Sequence, residues 1–188
     1  MAVADVAEGW EDGWRAFHHG VRAGRLWVGP PWEEAPRDAT AVVIDPGRAF
    51  GTGAHATTRL CLELLQDVEP TSLLDVGCGS GVLSVAAAKL GFSPVTAVDI
   101  DEVSLETTTA NAVANGVSIE VGAELRSAEL GVMNIALDVV ERMLPQLPVE
   151  RAITSGYLER DEPRVDGWRR VQRRVRDGWA ADLLELRP

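Results

Sequence analysis

Hydrophobic positions along this 188-residue chain change period several times, and the changes predict its elements. Leu73 and Leu74 close a short apolar run, and Asp75, Gly77, Gly79 and Gly81 follow at every second position. Val82, Leu83, Val85, Ala86 and Leu90 then recur at helical spacing until Gly91. A further apolar run over 95–100 leads into the acid pair Asp99 and Asp101. That order predicts strand, glycine-rich turn, helix, strand. Upstream, residues 41–44 predict a strand, and Leu60, Leu62, Leu64 and Leu65 the apolar face of a helix. Thr57 and Thr58 stand near its start, where hydroxyls cap free N–H groups. Downstream, residues 102–115 predict a helix closed by Gly116, and 117–121 a short strand. Residues 122–130 carry no pattern; 131–135 predict a strand, 136–144 a helix broken by Pro145, and 152–154 part of another strand. Asp177-Gly178 is a hairpin signal between 169–176 and 179–186. Near the start, Trp10, Trp14 and Phe17 share one face of a short helix, 20–25 reads as a turn, and 26–28 as a strand stopped by Gly29, Pro30 and Pro31. Alternating strands and helices predict an α/β fold with a mainly parallel sheet and helices on both faces.

The alternating glycines carry the chemistry. Glycine lets the backbone turn tightly and approach a ligand, because no Cβ stands in the way. The helix start beside the turn offers unpaired N–H groups to polar ligand atoms. Asp99 follows at about the offset where an acidic residue meets a ribose diol. These features predict a nucleoside-cofactor site. Dinucleotide enzymes use G-x-G-x-x-G, whereas the spacing here is G-x-G-x-G after an acidic residue. The pattern resembles the first motif of S-adenosylmethionine-dependent methyltransferases, with a nicotinamide enzyme and a ligand-free βα turn as alternatives.

Composition narrows the setting. The length suits one α/β domain, and 46% apolar with 25% charged residues is ordinary for a soluble globular protein. No run is long and apolar enough to span a bilayer and no basic–apolar leader opens the chain, so no membrane partner is expected. Cys61 and Cys78 lack metal-ligand spacing and read as free thiols of a cytoplasmic protein; no metal site is predicted. A formal charge of −11 argues against a nucleic-acid substrate held by its phosphates and suits a basic protein partner. Lys89 is the sole lysine, and the arginines of 169–176, interleaved with Val171 and Val175, read as a solvated strand face. The four tryptophans Trp10, Trp14, Trp27 and Trp32 read as packing of an N-terminal arm, with an aromatic substrate wall as the alternative.

A longer resemblance starts at Asp45. The stretch from Asp45 to Thr58, DPGRAFGTGAHATT, closely resembles the signature of the ribosomal protein L11 methyltransferase family. The glycine motif from Asp75 to Gly81 and the acids of 98–101 follow it as in that family. Met133-Asn134-Ile135 resembles its motif after the fourth strand, Ser155-Gly156-Tyr157-Leu158 its fifth-strand exit, and Gly178-Trp179-Ala180 its final strand. The resemblance covers the chain from about Trp10 to the C-terminus. It implies a Rossmann-like class I methyltransferase ending in an antiparallel hairpin, with residues 1–41 as arm or linker and 42–188 as the domain that uses S-adenosyl-L-methionine. It implies Thr58, Gly77, Gly79, Gly81, Asp99 and Asn134 at the cofactor. It also implies methyl transfer to amino groups of a protein, ribosomal protein L11 or a related one.

Arg48 and Ala56 depart from the family pattern, and the segment before Asn134 is short and lacks an acidic-then-apolar lead. The family's N-terminal recognition domain is expected to be missing. Another protein, a small amine, or cofactor binding without catalysis are therefore the alternative functions. Methyl transfer to an amine is an in-line displacement, so the protein must align the partners and strip water from them. A lysine acceptor must lose its proton, which burial beside a sulfonium favours. Asn134 is expected to be catalytic, its amide oxygen orienting the amine. His55 is a candidate proton acceptor or a loop hydrogen-bonder.

Overall fold

The computed structural model describes residues 19–45 and 53–187. A seven-stranded sheet forms its centre, in the order β6-β5-β4-β7-β8-β10-β9. The strands are β4 (Leu73–Val76), β5 (Val95–Val98), β6 (Glu120–Gly122), β7 (Leu130–Asn134), β8 (Arg151–Leu158), β9 (Trp168–Arg176) and β10 (Trp179–Leu186). Strands β6, β5, β4, β7 and β8 run parallel, while β10 is antiparallel to both β8 and β9. Three shorter strands, β1 (Val21–Ala23), β2 (Leu26–Gly29) and β3 (Thr40–Val43), make a second sheet. The helices are α1 (Ala56–Leu65), α2 (Val82–Leu90), α3 (Glu102–Asn115) and α4 (Leu137–Met143), followed by a 3₁₀ turn at Leu144–Gln146 that holds Pro145.

Strands covered on both faces must be apolar on both faces, and β4 shows why its run does not alternate. Leu73 joins the core cluster beneath α1 and α2, whereas Leu74 and Val76 join the opposite one with Val140, Leu144 and Trp168. Leu130 and Val132 against Met133 on β7 divide in the same way. Each such leucine, fully buried, contributes about 1.5–3 kcal/mol.

The helix at 102–115 and both hairpin strands fall where the pattern put them. Asp177 (φ 51°) and Gly178 (φ 78°) both take left-handed conformations, the turn whose twist suits a two-residue hairpin. Four expectations are corrected. Residues 20–25 are not merely a turn: Val21–Ala23 forms β1, paired antiparallel to β2 across Gly24 and Arg25. Three residues are too few for alternation to register. The short strand expected at 117–121 lies at Glu120–Gly122, and the segment around 152–154 extends over eight residues. The strand arginines are paired rather than merely solvated. Arg176 Nη1 donates to Glu63 Oε1 at 2.9 Å, and Arg174 Nη2 to Asp67 Oδ2 at 2.6 Å, tying β9 to the end of α1. Arg173 and Arg170 stand 3.6 and 3.8 Å from Oδ1 of buried Asp182, whose Oδ2 accepts from the Tyr157 hydroxyl.

Trp27 is buried in the β1–β2 hairpin, its ring filling the space a side chain at Gly20 or Gly29 would need. It is a packing residue. Trp10, Trp14 and Phe17 lie outside the described residues, as do Arg48 and Phe50. Among the described residues no helix is long and apolar enough to cross a membrane.

Candidate functional site

Strand order reverses between β4 and β7, because β5 and β6 lie to one side of β4 and β7 and β8 to the other. The carboxyl ends of parallel strands leave a crevice at such a switch point. Gly77 follows β4, Asp99 follows β5 and Asn134 ends β7, so three of the predicted residues stand on that edge. The glycine turn is held under it by two bonds, as Gly77 N and Cys78 N donate to Val98 O at 2.9 and 3.1 Å. Gly77 (φ 78°), Gly79 (φ 55°) and Gly81 (φ 78°) all lie in the left-handed region. A Cβ at Gly77 would come within 2.9 Å of Ile135 Cγ2, and one at Gly81 within 2.8 Å of Thr108. Glycine at these positions lets the turn follow this path without strain, and at Gly77 and Gly81 without a collision.

Asp99 is fixed before any ligand arrives. Its Oδ2 accepts from Gly79 N and its Oδ1 from Asp101 N, each at 3.0 Å. One lone pair on each oxygen remains for a diol. Ile100, beside it, is fully exposed, a large apolar side chain on the rim of the crevice. Hydrophobic periodicity gives no sign of it, because in sequence it looks like the end of a strand. Asn134 Nδ2 donates to Thr58 Oγ1 at 3.2 Å, so β7 meets the first turn of α1 and the amide oxygen is left for another donor. Gly77, Gly79, Gly81 and Asp99 thus form one group, and Thr58 with Asn134 a second, joined by Ile135.

The threonines do not cap α1. Its N-cap is His55, whose Nδ1 accepts from Thr57 N at 3.4 Å and lies 2.8 Å from Thr57 Oγ1, while Thr57 and Thr58 are buried. The His55 ring also meets Trp179 edge-on, at a centroid distance of 4.9 Å. The periodic signal for a helix cap favours hydroxyls and carboxylates, so a histidine cap is easily missed.

Beneath the turn, Asp75 is buried and its Oδ2 accepts from Ser84 Oγ at 2.5 Å. Burial pushes its carboxyl up to about 6, against the Ser84 bonds, and the nearby Asp99 charge adds to the rise. The folded chain therefore holds this proton more tightly than the unfolded chain does. Stability from Asp75 is present below its ordinary value of 3.8 and is lost as pH rises through about 6. Between about pH 4 and pH 7 the wild type should lose about 2 kcal/mol relative to Asp75→Asn. Urea unfolding across that range measures it, and a constant difference would mean an unperturbed carboxyl. Burial likewise raises both thiols, that of Cys78 to about 12, and leaves them unreactive.

Two cavities of about 480 Å³ lie elsewhere, one lined by Arg169 and Arg170 of β9 with Trp168 and Asp182, the other by Ser72, Leu147 and Leu186. Neither touches the glycine turn, and the site is assigned by its chemistry. Among the described residues no group of three His, Cys, Asp or Glu could hold a metal ion.

Relatives share this frame. A profile of the ribosomal protein L11 methyltransferases matches residues 2–181. The ribosomal protein L11 methyltransferase of Symbiobacterium thermophilum is 40% identical over 203 residues, covering 96% of this chain and 66% of the relative. That of Legionella pneumophila, strain Philadelphia 1, is 44% identical over 169 residues, covering 82% and 58%. The chain thus spans roughly half to two thirds of the length of the curated relatives it matches. A crystal structure of a ribosomal protein L11 methylase from Lactobacillus delbrueckii subsp. bulgaricus superposes with a TM-score of 0.80 at 27% identity, covering 90% of this chain and 100% of that one. By profile, sequence and fold, with the glycine turn and Asn134 on the switch-point edge, this chain belongs to the ribosomal protein L11 methyltransferase family.

Proposed function

We propose that this chain is an S-adenosyl-L-methionine-dependent methyltransferase that acts on amino groups of a protein, ribosomal protein L11 or a close relative of it. Residues 42–188 serve as the transferring domain and residues 1–41 as an arm. The observation that carries this reading is the pairing of a donor cradle with an acceptor amide across one switch point. The cradle is the glycine turn with Asp99 locked onto Gly79 N, and the amide is Asn134 held by Thr58.

The residues fit the donor. Gly77 leaves room where a Cβ would strike Ile135, for the methionine part. Asp99 keeps lone pairs for the ribose hydroxyls, and exposed Ile100 offers an apolar face to the base. Above about pH 6, Asp75 adds negative charge under the turn, which attracts a cationic centre. When bound, the donor supplies an electrophilic methyl group on a positive sulfur. The chain has to align an amine with it and keep that amine neutral. Because Thr58 Oγ1 takes the Asn134 N–H, the amide oxygen faces away from that bond and can accept from the amine. An amide oxygen orients without binding a proton, which suits an acceptor whose charge is already lowered by a nearby cation.

Calorimetry with S-adenosylhomocysteine and transfer of label from the methyl donor to ribosomal protein L11 test the proposal together. Binding with transfer to lysine or the N-terminus is expected; binding without transfer to any protein of a cell extract would leave a cofactor-binding module. Asp99→Ala should weaken S-adenosylhomocysteine by about 1.5–3 kcal/mol, the scale of a charged hydrogen-bond partner. Unchanged affinity in a folded Asp99 variant would remove it from the ribose.

A further inference from the structure

Helix α3 carries a polar face where an apolar one would be expected. Thr108, Asn111 and Asn115 lie three and four residues apart on it, and Thr108 and Asn111 are buried. A left-handed turn leaves carbonyls that no strand or helix ladder can satisfy, and these side chains satisfy them. Thr108 Oγ1 donates to Gly79 O at 3.1 Å, and Asn111 Nδ2 donates to Ser80 O at 2.8 Å. Asn111 uses its other end as well. Its Oδ1 accepts from Asp45 N at 3.1 Å, at the point where β3 runs into the Asp45–Thr58 signature. One turn on, Asn115 Oδ1 accepts from Val43 N at 2.9 Å and its Nδ2 donates to Val43 O at 2.6 Å, as a neighbouring strand would. The same Nδ2 donates to Asn111 O at 2.8 Å.

We infer that Asn111 is a positioning residue that links the donor turn to the chain entering the signature stretch. Glycine turn and β3 exit belong to different sheets, and one amide spans both. The bond to Ser80 sets the path of the turn, and the bond to Asp45 sets where the signature stretch departs. Ordering one end orders the other. The amide makes both bonds at once, whereas aspartate keeps the acceptor for Asp45 N but cannot donate to Ser80 O, and leucine does neither. Asn115 serves as an internal reference, because it anchors β3 without touching the turn.

This inference rests on the turn being the donor site, so wild-type binding of S-adenosylhomocysteine comes first; its absence would refute the function and not the link. With binding present, Asn111→Ala should weaken S-adenosylhomocysteine about tenfold, the scale of a buried group left unpaired. The Asp45 amide should exchange its proton faster, and should no longer gain protection when S-adenosylhomocysteine binds. Asn111→Asp should keep Asp45 protected while losing donor affinity, which preserves the test if the alanine variant does not fold. Asn115→Ala should lower the Tm comparably yet leave donor affinity within about twofold. Equal affinity losses in the Asn111 and Asn115 variants at equal Tm, or full affinity with unchanged Asp45 exchange in Asn111→Ala, would overturn the positioning role.

Discussion

Gly156→Ala should lower unfolding free energy by about 4 kcal/mol, overpacking and backbone strain each contributing about 1–3, and should abolish methyl transfer. Gly156 sits in β8 at φ 102°, opposite the irregularity where β10 passes from Ala180 to Ala181. A Cβ there would stand 2.6 Å from the carbonyl carbon of Ile135 and 3.0 Å from its nitrogen, and closer still to its oxygen. These are backbone atoms of the residue after Asn134, so no rotamer change relieves the collision. Ile135 N also donates to Ser155 O at 3.1 Å, which pins that backbone in place. Gly178→Ala provides the comparison. Its φ is 78° but nothing lies within 4 Å of the added Cβ, so only the strain of about 1 kcal/mol is expected. Urea unfolding of the two variants separates collision from conformation. Similar losses would mean that Ile135 gives way and that Gly156 matters for its φ alone.

Asn134→Ala should reduce kcat about 100-fold while changing S-adenosylhomocysteine affinity less than about threefold, the pattern of a group used in aligning the acceptor rather than in holding the donor. The side chain ends β7 at the switch point, with its amide held by Thr58. Single-turnover transfer to ribosomal protein L11, with donor affinity measured separately, makes the comparison. A loss confined to donor affinity would make Asn134 a cofactor residue only, and the acceptor would need another partner.

The central frame is legible in the sequence because local chemistry and global fold agree there. Leu73 and Leu74, the alternating glycines and Gly91 each announce one event, and those events follow one another along the chain. Asn134 is legible by resemblance alone; nothing in its neighbours' periodicity distinguishes it from any strand end. Asn111 is invisible for a plainer reason. Its partners lie 31 and 66 residues away, and an asparagine in a helix reads as solvated when only the helix is considered. The arginines of β9 mislead in the same way, since Glu63 of α1 and Asp67 just beyond it lie more than a hundred residues upstream. Hydrophobic period reports which way a residue faces, and it carries no information about which distant side chain meets it.

The ties between α1 and the terminal hairpin bear on how the chain reaches this state. Helix α1 is made well before its partners Arg174 and Arg176, which follow 113 residues on in the case of the Glu63–Arg176 bond. Contacts of such long sequence separation close slowly, because the loop entropy is lost before the contact is gained. During synthesis the apolar face of Leu60, Leu62, Leu64 and Leu65 stays only partly covered until β8, β10 and β9 emerge. Emergence of β9 and β10, rather than of the strands that carry the glycine turn, then sets when α1 is fully covered. A nascent chain stalled before Trp168 should be protease-sensitive at α1, and the same helix should become resistant only once Leu186 has left the ribosome.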